Sequence, residues 1–301
     1  MTFSPGEPHG FHRFLDKFAI LDKIKWTEEL IDDSIHAVCE DLICSGTDYT
    51  WMRFSINKYM NYLDWHRKDA ILFVKQAFER HAAGRVGLIL SIKYESQRAN
   101  QRQVASLIED PDIADALEGI DLVGDEAYYD AEFYAALLVP WAAAGKRLFA
   151  HAGESQPAVN IMDAMRKMGV RDICHGIRAV SYKYGVPRLN NEIIAYALDN
   201  DVCFHLALSS NILAGVLDRQ DIHPVSTLLS SGVKTTIGTD DPVQCNTNLQ
   251  REYDLLRAYL MADRVPLSEV EPLISRVKET AAERVKGNIL VDNHFGRRIP
   301  C

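Results

Sequence analysis

An α/β barrel of parallel strands is the fold this sequence predicts, and three observations predict it. Short apolar or β-branched runs alternate with longer segments whose apolar residues recur at three- and four-residue spacing, the pattern of repeated βαβ units. The polar residues capable of chemistry fall at the C-terminal ends of the short runs, where such a barrel places its active site. No Gly-x-Gly-x-x-Gly follows the first run, which argues against the open doubly wound sheet, the main alternative.

Strands are expected at 49–55, 86–92, 120–124, 147–151, 172–175, 202–208 and 235–239. Between them, helices are expected at 67–83, 101–110, 130–144, 158–168, 191–199 and 224–231, and a last one, 267–290, closes the bottom or side of the barrel. That makes seven strands where a closed TIM-type (β/α)8 barrel has eight. A chain of 301 residues with 47% apolar residues can bury a large core, and residues 1–301 read as one domain with no linker.

Charge and composition exclude several function classes. A net charge of -9 and a pI near 5.6, without clustered Lys or Arg, argue against a nucleic-acid partner. The pair Arg297-Arg298 reads as a solvated tail. No apolar run approaches the roughly 18 residues that cross a bilayer, and the N-terminus lacks a basic segment followed by an apolar one. A soluble, cytoplasmic protein is expected, with no membrane partner. The six cysteines are scattered without a Cys-x-x-Cys pair, so reduced, mostly buried thiols are expected.

The chemistry is concentrated in three strand ends. The run 147–154 delivers His151 and Glu154 three residues apart, with Gly153 letting the backbone leave the strand sharply. The run 172–176 ends in His175-Gly176, and the run 235–242 ends in Asp240-Asp241-Pro242. Adjacent residues of an extended strand face opposite ways, so a turn begun by Pro242 is needed for both carboxylates to serve one site. Imidazole and carboxylate suit a metal ion, and a carboxyl in an apolar pocket suits a proton donor.

These pieces resemble the adenosine deaminase family of the amidohydrolase superfamily. The matching segments are His151-Ala-Gly-Glu154, Cys174-His175-Gly176-Ile177-Arg178-Ala179, Ser209-Ser210-Asn211, Thr239-Asp240-Asp241-Pro242 and Asp121-Leu-Val-Gly124-Asp125-Glu126, in family order over about residues 11–290. The resemblance implies that His151 and Asp240 coordinate one Zn2+ and that Glu154 donates a proton to the purine N1. It implies that His175 and Asp241 position and polarise the metal's water, that the Gly124 backbone contacts the purine N3, and that Phe14 and Leu15 belong to the apolar helix that lids the pocket. The implied ligand is a small-molecule purine or purine nucleoside. Replacing an aromatic amine by a carbonyl needs a nucleophilic water at neutral pH and protonation of the ring, which this residue set supplies. The other zinc fold that deaminates bases, with His-x-Glu and Pro-Cys-x-x-Cys motifs, is excluded because those motifs are absent.

One departure stands beside the match. The family begins with a strand ending His-x-His, which supplies two zinc ligands, and no His-x-His occurs in this sequence. The first strand and helix of the barrel are therefore expected to be absent. His9 and His12 precede a helix and read as cap or surface residues. Three explanations follow: an incomplete form of an ordinary deaminase, a variant in which another segment or chain supplies the strand, or a degenerate member that binds nucleosides without turnover. Of the other histidines, His205 reads as core or as support to the site, and His36, His66, His81, His223 and His294 as surface. Tyr182-Lys183-Tyr184 is expected in a loop after His175 that narrows the pocket.

Overall fold

The computed structural model describes residues 9–60, 63–217 and 222–286. All seven expected strands are present: β1 Thr50–Phe54, β2 Val86–Lys93, β3 Gly119–Val123, β4 Arg147–Ala152, β5 Asp172–His175, and, after a hairpin of β6 Val180–Lys183 and β7 Val186–Leu189, β8 Cys203–Leu206 and β9 Lys234–Ile237. They pair in the order β1-β2-β3-β4-β5-β8-β9, every neighbour parallel, as the curled wall of a TIM-type barrel. Among the described residues β1 and β9 do not pair with each other, so the wall has two edges.

Strand periodicity of two sorts the side chains into two cores. Residues such as Ile120, Leu122, Ala150, Ile173 and Phe204 face the surrounding helices and join the main core. Ile89, Phe149 and Cys174 face inward, with Trp51 packed against them. The register places Asp121 beside Phe149, His151 beside Cys174, and Cys174 beside His205. The inner face therefore carries an apolar layer topped by polar residues at the strand C-termini.

The helices start where short polar side chains accept backbone N–H groups. Asp130 caps Ala131–Ala143 by accepting from Phe133 N–H, and Asn190 caps Asn191–Asp199 by accepting from Ile193 N–H. The helix Glu28–Cys44, capped by Thr27, was not among the expected segments, although buried Ile31, Ile35 and Cys39 give it a four-residue period. The last helix, Leu267–Val285, brings Arg284 under the strand N-termini, where its guanidinium binds Asp172 at 2.7 Å. Its expected extension to 290 lies outside the described residues, as do His294, Arg297, Arg298 and Cys301.

Three expectations need correction. Tyr182-Lys183-Tyr184 belongs to the antiparallel hairpin β6–β7, and Tyr184 is 95% exposed, so it does not narrow a pocket. His223 is buried, not on the surface. Cys39, Cys174, Cys203 and Cys245 are buried free thiols, but Cys44 is disulfide-bonded. No described helix is long and apolar enough to cross a membrane.

Candidate active site

Each strand that delivers a candidate residue leaves the barrel through a left-handed backbone. β3 turns at Gly124 (φ 92°), β4 at Gly153 (φ 66°), β5 at His175 and Gly176 (φ 62° and 63°), and β9 at Asp240 (φ 53°). The three glycines among them have no room for a side chain: a Cβ would lie 2.3 Å from Glu95 Oε2 at Gly124, 2.4 Å from Ile161 Cδ1 at Gly153 and 2.4 Å from the Phe204 ring at Gly176. His175 and Asp240 hold the same conformation without that freedom, which costs on the order of 1 kcal/mol each and falls on the residues aimed at the site. The turn at Asp240, rather than Pro242 alone, brings both carboxylates to one place, and Pro242 then starts the short helix Pro242–Cys245.

The donor atoms of His151, His175 and Asp240 lie within 4.8 Å of one another, and the two imidazole rings are 5.0 Å apart. His151 Nδ1 bonds Asp121 Oδ1 at 3.2 Å, which leaves Nε2 as its free nitrogen. Burial pushes the Asp121 carboxyl up, but the charges of His151 and Arg53 beside it prevail and hold it at about 2. Arg53, at the end of β1, bonds Asp121, reaches Cys174 Sγ at 3.1 Å and lies over the Phe149 ring. The cluster Asp121, His151 and Cys174 therefore already holds a cation, whereas His151 Nε2 and the Asp240 carboxylate are an N and an O donor of the kinds zinc takes. A carboxylate behind the imidazole is the arrangement that orients a metal-binding histidine.

Glu154 is buried, with Oε1 3.7 Å from His175 Nε2. Burial, reinforced by the Asp240 charge, pushes its carboxyl well above the usual range, and the same two causes raise Asp241. His175 is held down at about 4 by burial, with Asp240 opposing. Two buried carboxylates fasten the segments that carry these groups. Glu126 accepts from the N–H groups of Gly153, Glu154 and Ser155, and Glu252 from those of Leu208 and Ser209 and from the Thr247 hydroxyl. The second of these segments is the short helix Leu208–Leu213, which presents Ser210, whose hydroxyl donates to Asp240 Oδ2 at 2.7 Å, and Asn211, which bonds His175 Nδ1 at 2.9 Å.

The sequence model of the adenosine deaminase family matches residues 3–283. The chain belongs to the adenosine deaminase family. It is a hydrolase of the class that acts on C–N bonds. A curated relative, the adenosine deaminase of Shewanella denitrificans, is 25% identical over 264 residues, covering 84% of this chain and 76% of that protein. Among solved structures, the N6-methyl-AMP deaminase of Arabidopsis thaliana superposes with a TM-score of 0.72 at 18% identity, over 90% of this chain and 79% of that one. A Burkholderia ambifaria amidohydrolase with bound Zn superposes with a TM-score of 0.69 at 18% identity, over 85% of this chain and 71% of that one. Both structures share the fold.

Five of the residues matched to the family, His151, Glu154, His175, Asp240 and Asp241, converge at the strand ends. Gly124 follows the neighbouring strand β3, and the next residue, Asp125, donates its N–H to Glu95 Oε2. Phe14 is buried in the main core with its ring 5.8 Å from Phe18, and Leu15 is half-buried; their helix is tied to the site's surroundings by Gly10 N–H donating to the Leu213 carbonyl. Arg53, Glu252 and His223 were not anticipated in the site. Ser210, Asn211, Asp121 and Glu126 lay within matching motifs but had no role assigned.

Proposed function

We propose that this chain carries out zinc-dependent hydrolytic deamination of an aminopurine or its nucleoside, adenosine to inosine and ammonia first among them. The observation that carries the reading is a buried Glu154, its carboxyl pushed upward by burial, 3.7 Å from His175 and beside a separate pair of metal donors, His151 and Asp240. Zinc held by that pair would supply a nucleophilic water at neutral pH by lowering the pKa of water to about 7.

The chain's own residues do the rest. Glu154, kept protonated by burial, gives its proton to the purine N1 as the nucleophile adds to the amine-bearing carbon, which avoids an anionic ring. His175 and Asp241 position the attacking water. Ser210 holds the Asp240 carboxylate in place through its hydroxyl. The Gly124 backbone meets the purine N3, and the helix containing Phe14 and Leu15 excludes water from above. The preference against a nucleotide follows from charge: a net charge of -9 disfavours a phosphate. AMP is the sharpest competitor, because the Arabidopsis neighbour is named for a methylated AMP.

A second reading, a nucleoside-binding member without turnover, is favoured by the donor set itself. Catalytic zinc sites use three protein ligands, and the cluster of His151, His175 and Asp240 reaches three among the described residues only if His175 also turns a lone pair to the ion.

One set of experiments separates the two. The purified chain is analysed for metal, then offered adenosine, 2′-deoxyadenosine, adenine and AMP while the loss of ultraviolet absorbance is followed. About one zinc per chain, lost in His151→Ala, and faster turnover of a neutral compound than of AMP are expected. Glu154→Gln keeps metal and ligand but loses roughly 10²-fold or more in turnover. Binding without ammonia release from any compound, with zinc present, establishes the second reading instead.

A further inference from the structure

Behind His175 lies a chain of hydrogen bonds whose direction is set at its far end by the backbone. The Val225 N–H donates to His223 Nδ1 at 3.1 Å. A backbone amide can only donate, so His223 Nδ1 carries no proton and, in the neutral ring, Nε2 does. Nε2 lies 3.1 Å from Asn211 Oδ1 and donates to it. The Asn211 amide nitrogen is thereby turned to His175, 2.9 Å from Nδ1, and donates in its turn. His175 Nδ1 is thus an acceptor, and the ring's single proton sits on Nε2. That nitrogen faces the site, 3.7 Å from Glu154 Oε1 and 3.9 Å from Asp240 Oδ2. All three side chains are 2% exposed or less, so bulk water does not compete for these bonds.

His151 has the opposite arrangement. A carboxylate, which only accepts, stands at its Nδ1, so Nδ1 carries a proton and Nε2 is the nitrogen that must lose one for the ring to bind a metal. Two histidines 5.0 Å apart are given different duties by what stands behind them.

We propose that Asn211 and His223 are positioning residues that hold His175 in the tautomer presenting an N–H to the reacting centre, and so reserve it as a hydrogen-bond donor. In that state Nε2 neither ligates a metal nor takes a proton. The role assigned rests on the deaminase reading, where the acceptor is the oxygen being added to the purine. The tautomer itself does not depend on it.

The test reads the tautomer and the kinetics separately. In the zinc-loaded chain labelled with 15N-histidine, the His175 signals, assigned by their loss in His175→Gln, are expected to show Nδ1 unprotonated and Nε2 protonated. Asn211→Asp puts an acceptor at Nδ1 and is expected to move the proton there, with kcat lower by about 10²–10³-fold, the effect of losing one preorganised donor, and KM little changed. His223→Gln can still donate to Asn211 and is expected to retain the native signature and most of kcat, whereas His223→Leu loses both. The pair covers the case in which Asn211→Asp does not fold. A native His175 protonated on Nδ1, or a signature unaltered by His223→Leu, overturns the proposal. The predicted tautomer in a chain that turns over no aminopurine upholds the relay and refutes the deaminase reading.

Discussion

Replacing Glu126 by glutamine exchanges one oxygen for an amide nitrogen and is expected to loosen the loop that carries Glu154. Glu126 is 2% exposed, and its oxygens accept four N–H groups: Oε1 from Glu154 at 2.8 Å and Ser155 at 3.0 Å, Oε2 from Gly153 at 2.7 Å and Asn160 Nδ2 at 3.2 Å. Burial pushes this carboxyl upward and the N–H donors oppose it. All four partners are donors, so they satisfy a carboxylate and nothing else. Whichever way the glutamine amide is turned, its –NH2 meets two of them, and two buried donors lose their acceptor. At about 1–3 kcal/mol for each unsatisfied group, the cost is about 2–6 kcal/mol, a large part of the roughly 5–15 kcal/mol that holds a domain folded. A mid-range loss of about 4 kcal/mol corresponds to a fall in Tm of roughly 6 °C for a chain of this length, measured by circular dichroism on heating. An unchanged Tm would refute the view that an ionised Glu126 organises this loop.

Two further outcomes follow from single residues. Gly124→Ala adds a Cβ at φ 92°, 2.3 Å from a Glu95 carboxylate that also accepts the Asp125 N–H, and is expected to cost about 2 kcal/mol in urea unfolding; an equal midpoint would mean the turn relaxes freely. Burial holds His223 at about 3, against an unfolded value near 6.5. The unfolded chain then binds the extra proton between those limits, so the stability His223 contributes is complete above pH 6.5 and is lost as pH falls toward 3. By pH 5 the native chain should lose about 2 kcal/mol relative to His223→Gln, and parallel stability–pH curves for the two would contradict a neutral, buried ring.

The strands and the chemistry-bearing residues were legible because a polar residue ending an apolar run is conspicuous, and His151, Glu154, His175, Asp240 and Asp241 all sit in that position. What supports them was not legible, because it arrives from far along the chain. Glu252 lies in the helix Leu249–Ala262, which was not among the expected segments, yet it is fully buried and accepts from the start of a helix more than 40 residues earlier. His223 stands before Pro224 in a polar stretch that reads as a turn; contact with the Tyr259 ring, 5.5 Å away, and with Asn211 buries it. Arg53 looked like one charge in an apolar strand, and only the register shows that it faces inward to Asp121. The Ser209-Ser210-Asn211 segment carried little signal alone, since its two partners, Asp240 and His175, come from different strands.

The electrostatics of the site fit the chemistry asked of it. Asp121, Glu126, Glu154, Asp240 and Asp241 crowd one end of the barrel, and Arg53 is the cation bonded among them. Asp121 is neutralised locally by His151 and Arg53. Asp240 is met by the Ser210 hydroxyl, a weaker partner than a cation, and its charge raises both Glu154 and Asp241. A dication beside Asp240 would remove that part of the rise and, by its own charge, pull both carboxyls further down. Burial, the larger cause at both carboxyls, would remain. Burial outweighs the Asp240 charge as the cause of the rise at Glu154, so a proton donor there depends on the walls of its pocket more than on its neighbour's charge.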